Sequence, residues 1–270
     1  TVIEECRRAG ALGFLQRVGS RGASTPHDEL RDQLRDNGLI PDLRLLSDER
    51  RRLVGCSLPH LAVLRQARRA ATGAGNILLL GETGTGKELL ARYIHDLSPS
   101  SEGPYQVFYP FATAPTLQED ELFGHTKGAY TGALVARAGL FERANNGTLF
   151  VDEFGDVSAE LQGKLLRPLE SRVVCRQGGD QDIPLRLQVV LATNKDLDRA
   201  AREGGFRADL LNRVNAFRLS VPPLRSRQED IPALTDHLAR FCCLENRARW
   251  PRKIDSRVYE NLARQAWPDN

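Results

Sequence analysis

The sequence predicts an α/β fold in which a parallel sheet is sandwiched by helices. From about Leu53 onward, short apolar segments bounded by turn residues alternate with longer segments of helical periodicity. The apolar segments are almost continuously hydrophobic, as strands buried on both faces require. The pair Pro222-Pro223 then ends the sheet, because proline extends neither a strand ladder nor a helix at that point.

Five core strands are expected, with a helix over residues 88–95 after the first of them. A small helical unit is expected to follow, with helices around residues 231–241 and 256–265. These expectations divide the chain into an N-terminal segment 1–50, an α/β unit 51–224 and a small C-terminal helical unit 225–270. The predicted strands are residues 76–80, 106–111, 148–151, 187–192 and 217–221.

The segment 1–50 is predicted to be partly helical and carries no recognisable chemistry. Thr25 and Pro26 are typical of a helix start, and Asn37-Gly38 is typical of a helix end. The segment is either a linker or the end of a regulatory domain. The chain begins at Thr1 and contains no methionine, which favours a portion of a longer protein.

Charge and composition indicate a cytoplasmic protein with no membrane span. The 38 Lys and Arg residues nearly balance the 35 Asp and Glu residues, so charge alone does not predict nucleic-acid binding. The five cysteines lack metal-ligand spacing, and reduced, mostly buried thiols are expected. There is no apolar run of about 18 residues.

A phosphate-binding loop is predicted directly after the first strand. The segment has the spacing GxxxxGK between a buried strand and a helix. Glycines allow consecutive backbone N–H groups to turn toward a phosphate, and the helix N-terminus adds partial positive charge. Lys87 is expected to reach the β and γ oxygens of ATP. The predicted nucleotide-binding residues are Gly81, Glu82, Thr83, Gly84, Thr85, Gly86, Lys87 and Glu88. Because Glu88 replaces the usual Ser or Thr, Mg²⁺ must be held differently, for instance through water.

Two further strand ends complete the predicted catalytic edge. Asp152 and Glu153 follow the strand 148–151, at the carboxyl end where open α/β sheets bind ligands. Asp152 is expected to hold Mg²⁺, directly or through water, and Glu153 to orient and polarise the attacking water. Asn194 follows the strand 187–192 and is expected to hydrogen-bond the water or the γ-phosphate.

The chain resembles the bacterial enhancer-binding proteins, which are AAA+ activators of sigma-54 RNA polymerase. The resemblance covers roughly residues 51–270, and its motifs follow the family order. The second motif is specific to this family, whereas the first is shared by several P-loop families. The matching segments are GETGTGKE at 81–88, ELFGHTKGAYTGA at 121–133, GLFERANNGTLFVDE at 139–153, ATNKDL at 192–197, FRADLLNRV at 206–214 and PPLRSRQEDI at 222–231.

The resemblance implies a P-loop ATPase that forms a ring, expected to be a hexamer, and hydrolyses ATP between subunits. Arg207 and Arg213 match the positions of the arginine fingers that reach the neighbour's γ-phosphate. Val54 and Gly55 match the beginning of the adenine pocket. The helical unit 225–270 corresponds to the family's lid, which is incomplete here because the chain stops before the lid's sensing arginine. The DNA-binding domain of the family also lies beyond residue 270, so DNA is expected to be bound only through that domain.

A loop in the second motif matches the segment with which the family grips sigma-54. It comprises Gly128, Ala129, Tyr130, Thr131, Gly132 and Ala133. Small residues around one aromatic side chain suit a contact loop, since aromatic residues often anchor interfaces. The family usually has phenylalanine where this chain has Tyr130. Tyr109 stands where the family has an asparagine that restrains the catalytic glutamate, and a phenol cannot offer the paired donor and acceptor of an amide.

The leading hypothesis is an ATP-driven transcriptional activator that remodels sigma-54 RNA polymerase holoenzyme to open promoters. A second hypothesis keeps the motor but gives it a different protein client, favoured by Tyr109 and Tyr130. A third is a nucleotide-locked assembly module that barely hydrolyses ATP. The intact pair Asp152-Glu153 and both candidate arginine fingers argue against the third.

Overall fold

The computed structural model describes residues 53–73, 75–245 and 254–270. Of these, Gln66–Val221 form one compact unit, and residues 53–65 group with the residues from Pro222 onward in a second. The division therefore falls close to the predicted end of the α/β unit at residue 224, but it assigns residues 53–65 to the second unit. The domain boundaries at 50/51 and 224/225 stay predictions. The predicted N-terminal segment 1–50 lies outside the described residues.

Five parallel strands form the central sheet, as the apolar segments predict. They are β1 (Ile77–Leu80), β2 (Tyr105–Phe108), β5 (Thr148–Val151), β8 (Gln188–Thr193) and β9 (Phe217–Ser220), in the spatial order β2-β5-β8-β1-β9. Ile77 is in register with Val190 of β8 and with Phe217 of β9. All residues of β5 and β8 are buried, as their uninterrupted apolar character indicates.

The predicted strand 106–111 is wrong at its C-terminal end. Strand β2 ends at Phe108, and Pro110–Ala112 form a short 3₁₀ helix. Pro110 has no N–H group to donate to a neighbouring strand, so β2 ends before it even though the sequence remains apolar.

Helices cover the sheet and connect its strands. The helices of the α/β unit are α2 (Lys87–Leu97), α3 (Pro115–Phe123), α4 (Leu140–Arg143), α5 (Ala159–Glu170), α6 (Leu197–Arg202) and α7 (Ala208–Val214). Ser158 caps α5 by accepting a hydrogen bond from Leu161 N–H, and Asp196 caps α6 in the same way. Two short hairpins, β3 (Gly124–His125) with β4 (Arg137–Ala138) and β6 (Val173–Val174) with β7 (Ile183–Pro184), complete the unit.

One hydrophobic core lies between the sheet and these helices. Its largest fully buried side chains include Phe108, Phe141 and Phe154. The helices α5 and α7 contribute Leu165, Leu169, Leu210 and Val214 to the same core. This packing fixes β1, β5 and β8 side by side, so their carboxyl ends open on one edge of the sheet.

The helix α1 (Leu58–Ala71) carries the arginine-rich stretch on an exposed face, as predicted, since Arg65, Arg68 and Arg69 are exposed. In the second unit, α8 (Ile231–Glu245) and α9 (Ser256–Ala263) occupy the regions predicted to be helical. The hydroxyl of Tyr259 joins them by donating to Asp236 Oδ1 at 2.6 Å.

The cysteine prediction is wrong in one respect. Cys242 is exposed, and Cys56, Cys175 and Cys243 are only half-buried. Within the part of the chain that the structure describes, no helix combines the length and the apolar character needed to cross a membrane.

Candidate nucleotide-binding site

The glycine-rich segment after β1 forms a tight loop that leads into α2. Gly84 and Gly86 have φ angles of 79° and 93°, a left-handed conformation that favours glycine. Gly86 is the N-cap of α2 and provides no side-chain hydrogen bond to the first turn. The N–H groups at this helix start are therefore available to an anionic ligand, and the helix dipole favours negative charge there.

Lys87 is buried at the base of the loop. Its Nζ donates to the carbonyl oxygens of Gly81 and Glu82 at 3.0 and 3.2 Å. It also lies 3.5 Å from Glu153 Oε1. Thr85 stabilises the same turn, because its hydroxyl donates to Glu82 O at 2.8 Å. A buried ammonium group is thus held between the loop backbone and the carboxylate of Glu153, which follows β5.

The carboxylates of Asp152 and Glu153 lie at the carboxyl end of β5. Glu153 has φ 51° and ψ 51°, a left-handed conformation that costs a non-glycine residue about 1–2 kcal/mol. Its N–H group donates to Asp152 Oδ1 at 3.1 Å. Burial raises the pKa of the Asp152 carboxyl above its usual value, and Glu153 raises it further. The site therefore concentrates negative charge that its neighbour Lys87 only partly offsets.

Asn194 joins the acid pair to the phosphate loop. Its backbone N–H donates to Glu153 Oε2 at 3.1 Å, and its side-chain Nδ2 donates to Thr83 Oγ1 at 3.1 Å. The end of β8 also supports the loop, because Gly81 N–H donates to Thr193 O at 3.2 Å. The structure therefore brings Lys87, Glu153 and Asn194 together, while their catalytic roles stay predictions.

Tyr109 and Glu88 lie beside this site. Burial raises the pKa of the Tyr109 phenol, and the nearby carboxylates of Glu88 and Asp152 raise it as well. The Tyr109 ring packs edge-on against Phe111, with 5.9 Å between the ring centroids. The Glu153 carboxylate accepts a hydrogen bond from the backbone N–H of Asn194 and lies 3.5 Å from Lys87 Nζ.

The two candidate arginine fingers differ in their surroundings. Arg207 is exposed, and its guanidinium donates to both carboxylate oxygens of Asp209, at 3.1 and 2.7 Å. Arg213 donates to the carbonyl oxygens of Leu169 and Glu170 at 3.0 and 2.9 Å, at the C-terminal end of α5. Their action on a neighbouring subunit stays a prediction.

Val54 and Gly55, the predicted start of the adenine pocket, lie in the second unit. A Cβ atom on Gly55 would lie 2.8 Å from Asp230 Oδ2, so only glycine fits there. Asp230 accepts hydrogen bonds from the N–H groups of Cys56 and Ser57, at 2.6 and 2.7 Å, and from the Ser57 hydroxyl at 2.7 Å. Asp230 could not be identified from the sequence. Its partners Cys56 and Ser57 come 174 and 173 positions earlier in the chain, and no local pattern reveals a contact over that separation.

The predicted partner-binding loop is a short, tightly bonded turn on the surface. Gly128 and Gly132 have φ angles of 83° and 108°, and a Cβ atom on either would meet no atom within 4 Å. Gly128 N–H donates to Ala133 O at 2.8 Å. Tyr130 is 46% exposed, and its ring lies edge-on to that of His125 with 5.1 Å between centroids. The role of buried His125 was missed, because a lone histidine in a polar segment gives no signal of burial.

Residues 53–220 match the family model described as "Sigma-54 interaction domain". The chain belongs to this family. It is 41% identical over 273 residues to the C4-dicarboxylate transport transcriptional regulatory protein DctD of Pseudomonas aeruginosa, covering 98% of this chain and 58% of that relative. It is 44% identical over 209 residues to the Sigma54-dependent transcriptional activator SfnR of Pseudomonas putida, covering 77% of this chain and 57% of the relative.

A solved structure of NtrX from Brucella abortus in complex with ATP has the same fold. It is 30% identical, with a TM-score of 0.73, and the match covers 90% of this chain and 51% of that one. The sigma-54 interaction domain of this chain is accordingly an AAA+ P-loop domain with a five-stranded parallel sheet. The chain spans little more than half the length of these three relatives.

The residues of the site fit a nucleoside triphosphate and a divalent cation. The loop N–H groups and Lys87 offer donors to phosphate oxygens, and the carboxylate of Asp152 offers a hard oxygen ligand. Burial, and after it the Glu153 carboxylate, raises the pKa of Asp152, and a bound cation would stabilise its ionised form.

Proposed function

We propose that this sigma-54 interaction domain hydrolyses ATP to ADP and phosphate and uses the reaction to remodel sigma-54 RNA polymerase holoenzyme. The observation that carries the proposal is the meeting of Lys87, Glu153 and Asn194 beside the phosphate loop. The bacterial cytoplasm, where RNA polymerase works, is the proposed location.

Lys87 and Glu153 have complementary parts in this proposal. Lys87 has two neutral carbonyl acceptors and one carboxylate nearby, and anionic phosphate oxygens are stronger acceptors than carbonyls. Binding of the triphosphate therefore draws the ammonium group toward the phosphates and loosens its hold on Glu153. The released carboxylate then orients the attacking water and accepts its proton, and Asn194 positions the water or the γ-phosphate.

Asp152 is the proposed ligand of Mg²⁺, directly or through water. Mg²⁺ when bound supplies compensation for the charge on the phosphate oxygens. Asp152 is preorganised for this role, because one of its oxygens already accepts the Glu153 N–H group.

A homo-oligomeric ring, which we expect to be a hexamer, brings an arginine of one copy to the phosphates of the next. Arg207 is the better placed of the two candidates, because its exposed guanidinium pairs with the exposed side chain of Asp209 rather than with backbone carbonyl groups of the core helix α5. A guanidinium at the transferring phosphoryl group is worth about 10³–10⁵ in rate. Arg213 is already bonded to two carbonyl groups of α5.

The loop 128–133 is the proposed contact with sigma-54. Its backbone is fixed by its own hydrogen bonds, and its aromatic side chain, Tyr130, is partly exposed. Contact with promoter DNA is assigned to a domain outside this chain.

The test is binding of sigma-54 to the domain with ADP and a metal-fluoride mimic of the transferring phosphate. Thr131→Ala removes a hydroxyl from the contact loop, and Thr116→Ala on α3 is a matched control at another exposed threonine. We expect binding that requires the mimic, survives Thr116→Ala and is lost in Thr131→Ala. If a preparation that forms rings and hydrolyses ATP binds no sigma-54, the client is a different protein.

A further inference from the structure

A group of exposed apolar side chains lies at and just beyond the predicted contact loop. Nine large hydrophobic residues are strongly exposed in the described part of the chain, and three of them fall within six consecutive positions. Tyr130 is 46% exposed, Leu134 80% and Val135 75%. We name these three residues the apolar tip. Single exposed apolar residues are ordinary, but a cluster at the end of a loop indicates a contact surface.

The backbone of this segment is fixed, so the exposure is built into its conformation. Ala133 N–H donates to Tyr130 O at 3.0 Å, and Leu134 N–H donates to Gly132 O at 2.9 Å. Together with the bond from Gly128 to Ala133, these contacts close two successive turns. Leu134 and Val135 follow the second turn with their side chains outward.

His125 anchors the segment from inside the molecule. Its Nε2 donates to Val135 O at 2.9 Å, and its Nδ1 faces Asp120 Oδ1 at 2.5 Å. Both partners of the imidazole are acceptors, and His125 and Asp120 are buried. Retraction of Val135 would break a buried hydrogen bond, which carries a penalty because the donor would lose its partner away from water.

The segment of residues 128–136 itself carries no formal charge, and the exposed basic residues Lys127 and Arg137 flank it. Residues 128–136 contain no Asp, Glu, Lys, Arg or His. An apolar partner surface suits the tip, since a charged group facing Leu134 and Val135 would be desolvated without a partner. Binding through such a tip is expected to depend little on salt.

We infer that Leu134 and Val135, with Tyr130, form a single apolar surface that binds sigma-54. The inference rests on the proposed function. The tip is continuous along the chain with the loop 128–133, and the hydrogen bonds that close that loop also orient Leu134. The same partner is therefore expected to cover both segments, and Leu134 and Val135 determine how tightly it is held.

The experiment compares three forms of the full chain in the same metal-fluoride binding assay with purified sigma-54. The double variant Leu134→Ser and Val135→Ser removes the apolar side chains without touching the core. The double variant Leu134→Met and Val135→Ile keeps the surface apolar. Leu117→Ser removes an exposed leucine of α3, 58% exposed, as the matched control. ATP turnover and ring formation are measured for every form.

We expect the serine variant to bind sigma-54 at least about tenfold more weakly, which corresponds to about 1.4 kcal/mol. The Met/Ile and Leu117→Ser forms are expected to bind like the original chain, at low and high salt. Equal binding by the serine variant, with Thr131→Ala still inactive, would overturn the inference and leave the proposed function standing. Loss of ring formation in the serine variant would instead assign the tip to a second copy of the chain. Absence of binding by every form, including the original, would overturn the proposed function itself.

Discussion

The phosphate-binding edge and the apolar tip differ in which of their groups are satisfied within the chain. At the edge, the polar groups lie close to one another and are satisfied within the chain, with Lys87 and Glu153 held by backbone groups of the loop and of β8. At the tip, the backbone is satisfied but Leu134 and Val135 face solvent. The edge is therefore ready for a ligand that replaces existing polar contacts, whereas the tip is ready for a partner that buries surface.

We assign ATP hydrolysis to the phosphate-binding edge and partner binding to the apolar tip. Hydrolysis depends on groups placed before the ligand arrives, because preorganised charges need no rearrangement during the reaction. Partner binding depends on apolar area that remains uncovered until the partner arrives. Changes at one region should leave the other intact, and the predictions below test that separation.

The largest effect is expected for Glu153→Gln at the phosphate edge. The amide keeps the shape of the side chain but cannot accept a proton from water, so ATP turnover should fall about 10²–10⁴-fold. ATP binding should persist, since Lys87 and the loop remain. Turnover and nucleotide affinity are measured side by side, with Glu160→Gln as a control at an exposed glutamate of α5. Surviving turnover would show that another group activates the water.

Loss of the anchor beneath the apolar tip should weaken partner binding without slowing hydrolysis. In His125→Ala, Val135 O and Asp120 lose their imidazole partner. We expect about tenfold weaker binding of sigma-54, ATP turnover within about twofold, and faster hydrogen exchange confined to residues near 128–136. Equal loss of turnover would mean that the two regions are coupled through β3 and α3.

Two exposed arginines sharpen the comparison, because Arg213 is bonded to backbone carbonyl groups whereas Arg207 pairs with the side chain of Asp209. Arg213→Ala should lower the free energy of unfolding by about 1–2 kcal/mol, since the carbonyl oxygens of Leu169 and Glu170 lose a charged donor at a helix end. Arg207→Ala should leave stability unchanged and reduce ATP turnover. Denaturant unfolding and turnover assays on both variants distinguish the roles. Normal turnover in Arg207→Ala would exclude it as a finger.

The smallest expected effect concerns a buried group that is not fully satisfied. His60 is buried in the second unit, its Nε2 has no hydrogen-bond partner among the described residues, and Arg227 Nη1 lies 3.3 Å from its Nδ1. The pKa of His60 is lowered from 6.5 to about 4, chiefly by burial, with Asp230 opposing the shift and Arg227 adding to it.

Because the unfolded chain binds a proton at His60 below pH 6.5 and the folded protein does not until about pH 4, folded stability falls as pH decreases through this window. His60→Leu should lose less stability between pH 7 and pH 4 than the original chain in thermal unfolding. Parallel stability curves for the two forms would contradict this assignment.

Much of the phosphate edge could be predicted, because its geometry follows from strand ends and glycines that are adjacent in sequence. The buried strands 148–151 and 187–192 place Asp152, Glu153 and Asn194 at one edge by sheet topology alone. The early end of β2 at Phe108 and the burial of His125 could not be predicted. Both depend on contacts between distant segments, as does the bond between Asp230 and Ser57, 173 positions apart.

The central claim is that ATP hydrolysis by this domain drives sigma-54 holoenzyme to open a promoter. The most direct measurement follows promoter melting with a fluorescent base analogue in the DNA, using sigma-54 holoenzyme and the original or Glu153→Gln chain. The account predicts melting that requires ATP and the original chain, with none when the holoenzyme carries a different sigma factor. A chain that assembles and hydrolyses ATP but leaves the sigma-54 promoter closed would contradict the account.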